Sequence, residues 1–271
     1  MISYFFESPH VRVFLFFTTV LSLLFSNTAL AFHIMIDPGH GGSDRGAVYN
    51  NIKEADLVLQ WAQKLKKSLE LNPDYKVSLT RSSSITLSLE DRVEKAEKEK
   101  VDLFISLHAN AAFDRRARGV ELYFQNNLPP EEEEMFLAHL ENNSRGAEAK
   151  KQISKNIFAL SKKSDINTII EDLKHQSRLR KSLQATQLIA TSWAESEDGA
   201  KSKITIKQAP FFVVSQTSMP SMLIEIGFLS HPTDYKKLMD HQYQNQIIGK
   251  IHQALNIYKE KVDKKQQHSL D

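Results

Sequence analysis

The apolar positions fall into blocks that change period along the chain. Residues 32–37 (FHIMID), 75–81 (YKVSLTR), 101–110 (VDLFISLHAN), 119–125 (GVELYFQ), 210–216 (PFFVVSQ) and 221–230 (SMLIEIGFLS) are short runs predicting strands, the first near-continuously apolar as in a buried parallel sheet. Between them apolar residues recur at helical spacing. Leu57, Trp61, Leu65 and Leu69 mark a helix that stops at Asn72-Pro73-Asp74. Ser88 and Asp91 have the spacing of a cap for a helix over 88–100, and a last helix spans 240–261. Residues 126–207 differ: they are helical, charged and poor in strand character, with segments at 129–143, 149–163 and 166–195. Alternating strands and helices predict a single α/β domain with a mostly parallel central sheet flanked by helices, carrying a helical insertion at 126–207.

The first residues have another pattern. Arg12 precedes an apolar run from Val13 to Phe25, followed by Ala29-Leu30-Ala31. The run is short for a membrane span and ends in a small-residue cleavage pattern, so residues 1–31 read as a secretory signal, with a retained anchor as the alternative. The body of the domain is then 32–260 and the polar tail 261–271. No stable membrane span is expected after cleavage. The chain is expected in the periplasm or cell envelope.

Composition narrows the chemistry. The 271 residues carry 35 Lys+Arg against 33 Asp+Glu, a balance that does not suit a nucleic-acid partner. There is no Cys, so a metal site would have to use His and carboxylates. Two histidines sit where such sites form, beyond the carboxyl ends of predicted strands: His40, in Gly-rich DPGHGG, and His108, in FISLHAN. Glu54 lies near the start of the following helix, where a carboxylate suits the helix dipole or could turn inward as a third ligand. Glu225 interrupts the apolar run LIEIGF, where an unpaired charge is costly. Two His and one carboxylate with a further Glu nearby is a ligand-and-base set for hydrolytic zinc. The other histidines read as structural or surface groups, Arg81 and Arg92 as surface or intramolecularly paired cations with substrate contact as the alternative, and the Glu131–Glu134 run as a solvated helix start.

The motifs DPGHGGSDRGA, KEADLVL, TR…LEDRVEKAEKEKVDLFISLHANA, GVELYF and PSMLIEIGFLSHPTDYKKL resemble the zinc-dependent N-acetylmuramoyl-L-alanine amidases, from about residue 33 to 258 and excluding the helical block. The resemblance implies Zn²⁺ on His40, Glu54 and His108, a catalytic Glu225, and peptidoglycan as substrate. It departs from the family pattern at SSSIT after Thr80-Arg81 and at His231, where Asn is common; neither is a proposed ligand. The helical block resembles the regulatory insertion of cell-division amidases. That implies an autoinhibitory glutamate, Glu141 with Glu148 as second choice, and a LytM-type activator protein. A solvated helix glutamate is the competing role for Glu141. Competing functions are a zinc exopeptidase, a non-catalytic wall-binding or regulatory protein, and an amidase without autoinhibition.

Overall fold

A computed structural model describes residues 31–126, 130–143, 165–195 and 203–267. Among these, in chain order, lie β1 (Phe32–Pro38), a two-residue ribbon β2 (Val48–Tyr49) and β3 (Ile52–Lys53), α1 (Glu54–Leu69), β4 (Tyr75–Leu79), α2 (Leu89–Glu99) and β5 (Leu103–Asn110). They are followed by β6 (Val120–Phe124), α3 (Glu132–Asn143), α4 (Asp165–Ala194), β7 (Ile204–Gln208), α5 (Phe212–Ser215), β8 (Ser221–Phe228), α6 (Pro232–Met239) and α7 (His241–Gln267). The signal-peptide reading of 1–31, the helix expected at 149–163, and Glu148 fall outside the described residues, Ala31 apart.

The main sheet runs β4-β1-β5-β8-β6-β7. β4, β1, β5 and β8 are mutually parallel; β6 pairs antiparallel with β8 and parallel with β7. The expected mostly parallel sheet flanked by helices is therefore present. Chain order reverses direction across the sheet at β1: the chain moves from β1 out to β4, then back to β5 on β1's other side. The carboxyl ends of β1 and β5 therefore border a switch point, the place where open α/β sheets form sites.

Each sheet face has its own core. Ile34, Ile36, Ile105, Leu107, Ile224 and Ile226 pack against Trp61 and Leu65 of α1, Ile189 and Trp193 of α4, and Ile251 and Leu255 of α7. Met35, Phe104, Tyr123 and Leu223 face the other way, toward Ala96 of α2, Ala138 of α3 and Phe211 with Val213 beside α5. β1 and β8 are buried at every residue, which accounts for their largely apolar sequences. Ser88 caps α2 in a reciprocal box with Asp91, as its spacing predicted.

Two local expectations fail. PFFVVSQ forms the single-turn helix α5 instead of a strand; a short apolar run has no period that separates the two. The block 126–207 is not wholly helical, because Ile204–Gln208 adds β7 to the sheet edge, pairing Val120 with Ile204 through Phe124 with Gln208. Its side chains are mostly half-buried, which weakens the strand signature. No helix among the described residues is long and apolar enough to cross a membrane.

Candidate metal centre

β1 ends at Pro38, and the chain turns immediately into a loop closed by a two-way backbone bridge between Gly41 and Asp44. His40 holds a left-handed φ of 55°, uncommon for a residue with a side chain. Two buried arginines fix that conformation from beneath. Arg81 donates to the carbonyls of Pro38, Gly39 and Ala55 at 2.9, 2.7 and 2.8 Å. Arg92 donates to the Pro38 and His40 carbonyls at 2.8 and 2.7 Å, and to Asp37 Oδ1 at 2.6 Å. Asp37 is wholly buried and also accepts from Thr80 and Ser106. Burial alone would raise its pKa; the Arg92 charge and these hydrogen bonds bring it below the ordinary carboxylate value. Of the surface and intramolecular roles expected for them, both arginines take the intramolecular one.

The loop brings together three of the selected residues. His40 Nε2 lies 3.2 Å from Glu54 Oε2, and His108 Nδ1 lies 3.1 Å from Glu54 Oε1. All three residues are buried, and one donor atom from each falls within 4.8 Å of the others. Glu54 is held in turn by the backbone N–H groups of Ala47 (2.9 Å) and Ala109 (3.0 Å). The carboxylate expected either to favour the helix dipole or to turn inward does turn inward, from the first residue of α1. Asp44 Oδ2 sits 3.0 Å from His40 Nδ1, leaving Nε2 to face the centre, while Asp44 Oδ1 accepts from Gly46 N–H. That carboxylate–histidine arrangement is the outer support that metal-binding imidazoles use.

The donor set fits a zinc ion. His40 Nε2 is buried without a hydrogen-bond partner among the described residues, although a carboxylate is 3.2 Å away. Two imidazoles and a carboxylate with no thiolate is a catalytic type of zinc set. The charges agree. Burial opposes a proton on His40, but the Glu54 charge and the Asp44 hydrogen bond outweigh it and push its pKa up to about 11. Burial opposes ionisation of Glu54, yet His40 and His108 drive its pKa far down. Two close-packed glycines make room. A Cβ on Gly39 would stand 2.3 Å from His108 Cε1, and one on Gly46 2.6 Å from both Glu54 Oε2 and His40 Cδ2.

Glu225 belongs to the same row. On β8 it pairs in register with His108 of β5 on one side and Glu121 of β6 on the other. Residues paired in this way share a sheet face. Burial first, then the negative charges of Glu54, Glu141 and Glu121, push its carboxyl well above the ordinary range. Its Oε2 has no hydrogen-bond partner among the described residues. The apolar strand thus holds a buried carboxyl beside the centre, in surroundings that favour its protonated form.

Glu141, near the end of α3, reaches the same place. Its Oε2 is 3.5 Å from His40 Nε2 and 3.6 Å from His108 Nδ1. Leu137, Leu140 and Glu141 form one wall of a cavity of about 260 Å³ whose other walls include His40, Asp44, Glu54 and Asn110. Asp44 lies in a Gly-rich loop where no local pattern marks it, whereas Asp37 is a charge inside an apolar strand, the same signal that marked Glu225. His231 caps α6, accepting from Asp234 N–H at 3.4 Å, and Thr86 of SSSIT bonds Ser43 and Gly41 of the His40 loop; these departures from the family motif carry structural contacts.

A buried His–Glu–His group that could hold a metal ion, set at the carboxyl-end edge of a mostly parallel sheet flanked by helices, is what the fold and site define. Residues 34–256 match the family model described as N-acetylmuramoyl-L-alanine amidase, and the chain belongs to that family. It is 31% identical over 249 residues to a probable N-acetylmuramoyl-L-alanine amidase AmiB of Haemophilus influenzae, covering 90% of this chain and 55% of that protein. It is 29% identical over 229 residues to AmiC of Escherichia coli, covering 83% and 52%. The chain thus spans about half the length of these curated relatives. The catalytic domain of CwlV from Paenibacillus polymyxa shares the fold, with a TM-score of 0.61 at 24% identity over 84% of this chain and 98% of that one.

Proposed function

We propose that this chain is a zinc-dependent amidase that hydrolyses the bond between the lactyl group of N-acetylmuramic acid and L-Ala of the peptidoglycan stem. The convergence of His40, Glu54 and His108, with Glu225 in register beside His108, carries this reading. His40 through Nε2, His108 through Nδ1 and Glu54 would hold the ion. When bound, zinc supplies Lewis acidity at the scissile carbonyl and makes a coordinated water acidic near neutral pH. Glu225 takes the proton of the attacking water and returns it to the departing L-Ala amine. Asp44 keeps Nε2 of His40 directed inward, and the Ala47 and Ala109 amides fix the Glu54 carboxylate.

The remaining parts follow from the same reading. Glu141 occupies the approach to the donor atoms, so α3 acts as a built-in restraint that a LytM-type activator displaces by favouring the open form. Residues 1–31 act as an export signal and bring the enzyme to the envelope, where cell separation needs it.

Glu225→Gln is the test of the chemistry. The variant should bind zinc with unchanged stoichiometry and lose roughly 10²–10⁴-fold in turnover of purified peptidoglycan. Normal turnover would remove Glu225 from the mechanism.

A further inference from the structure

α3 is docked by an unusual set of residues. Glu134, Ala138, Glu141 and Asn142 face the body, while apolar Met135, Phe136 and Leu140 are about half exposed or more, at 47%, 60% and 49%. Only the first three glutamates of the Glu131–Glu134 run meet solvent. Contrary to the sequence expectation, Glu134 is buried at 5% exposure. Its Oε1 lies 3.3 Å from Lys207 Nζ on β7, and its Oε2 is buried with no hydrogen-bond partner among the described residues.

Lys207 is itself held in place. Its ammonium lies 3.0 Å from Glu121 Oε1. Glu121 Oε2 accepts from the Tyr123 hydroxyl at 2.8 Å and from Asn110 Nδ2 at 3.4 Å. Asn110 also lines the cavity over the metal centre. Lys207, Tyr123, Glu121 and Glu225 share one sheet face through their register. The row His108–Glu225–Glu121 ends at Thr205, and Lys207 stands two residues further along β7, so a cation lies beside the far end of that row on the same face. From Glu225 on β8 to Lys207 on β7 is two strand spacings across the sheet and two residues along it, roughly 12 Å. Glu134 and Glu141 are seven residues apart, about 10 Å along a helix. α3 thus lays one carboxylate on the metal donors and the other on Lys207.

We propose that Lys207 binds a carboxylate of the stem peptide, and that Glu134 stands in for that carboxylate while α3 covers the centre. The inference rests on the amidase reading. An extended chain covers about 10 Å in three residues, so the carboxylate belongs to the second or third stem residue beyond the scissile amide. A lysine ammonium suits this ligand: it is a compact charge with rotatable donors. Glu121, Tyr123 and Asn110 position it. Glu134 satisfies the position poorly, with one buried oxygen unpaired, and a flexible peptide carboxylate can do better.

The test is calorimetric titration of the full-length, zinc-loaded protein carrying Glu141→Ala, which uncovers the donors. Two probes are used: N-acetyl-L-Ala-γ-D-Glu-diaminopimelate with free carboxylates, and the same peptide with its carboxylates amidated. The free acid should bind more tightly. Adding Lys207→Met should weaken the free acid about tenfold or more and leave the amidated peptide unchanged, while Lys207→Arg retains most of the affinity. Adding Glu134→Gln in place of a Lys207 change should tighten the free acid. Equal effects of Lys207→Met on both peptides, no effect on either, or no binding by a protein folded by circular dichroism would overturn the proposal. Release of stem peptides from peptidoglycan is followed in parallel. Lys207-dependent binding without that release would defeat the amidase reading and leave the carboxylate site standing.

Discussion

Removing Arg92 probes the frame beneath the metal centre. Its guanidinium is buried and reaches Asp37, the Pro38 carbonyl and the His40 carbonyl at 2.6–2.8 Å. Arg92→Met keeps much of the side-chain volume but leaves Asp37 ionised, buried and without its cation. Breaking a buried pair from one side costs about 3–5 kcal/mol. At an m-value of about 2–3 kcal/mol per M, this moves the urea midpoint down by roughly 1–2 M at pH 7. Acid should reveal the cause. In the native protein the folded pKa of Asp37 lies below its unfolded value, so its contribution is full above the unfolded pKa and fades as pH falls through the folded one. Without Arg92, burial raises the folded pKa above the unfolded value. The penalty in the variant is then full at high pH and fades as Asp37 takes up a proton. The difference between the two proteins, measured by urea unfolding without added metal, should therefore shrink from pH 7 to pH 4. A loss below about 1 kcal/mol, or a difference independent of pH, would refute this account of the pair.

Other perturbations reach the centre itself. Gly39→Ala puts a methyl group 2.3 Å from His108 Cε1, so the ring must move; zinc affinity, measured by chelator competition, should fall by about 10–100-fold. Zinc should stabilise the native chain against urea, by about 2.7 kcal/mol at a free concentration 100 times Kd. Its affinity should weaken as pH falls, because the proton on His40, whose pKa is pushed up to about 11 without metal, must leave when the ion binds. A pH-independent affinity would contradict that competition. Glu141→Ala should raise hydrolysis by the full chain at least severalfold in a dye-release assay, and unchanged activity would remove α3 as a restraint.

The residues of the centre were legible because each breaks a local rule. His40 and His108 close strands at their carboxyl ends, Glu54 starts a helix from inside, and Glu225 is a charge in an apolar strand. Asp37 breaks the same rule as Glu225 and could have been found the same way; its partner could not, since Arg92 is 55 residues away and looks like any helix-surface cation. Glu134 was hidden by its neighbours: three of the four glutamates are solvated, and only tertiary contact with Lys207 distinguishes the fourth. β7 was missed because a half-buried edge strand lacks a continuous apolar run. The mostly parallel character of the sheet followed from strand–helix alternation, whereas the strand order and the reversal at β6 and β7 depend on pairing that no local pattern records.

The central claim is tested most directly by the products. Purified peptidoglycan is digested with the zinc-loaded protein, with an added activator if the basal rate is low, and the released material is identified by mass spectrometry. The account predicts intact stem peptides with a free L-Ala amine and glycan strands left with unsubstituted muramic acid. Peptides shortened from their ends would indicate an exopeptidase. No release by a folded, zinc-loaded protein, with its restraint removed by Glu141→Ala, would contradict the assignment.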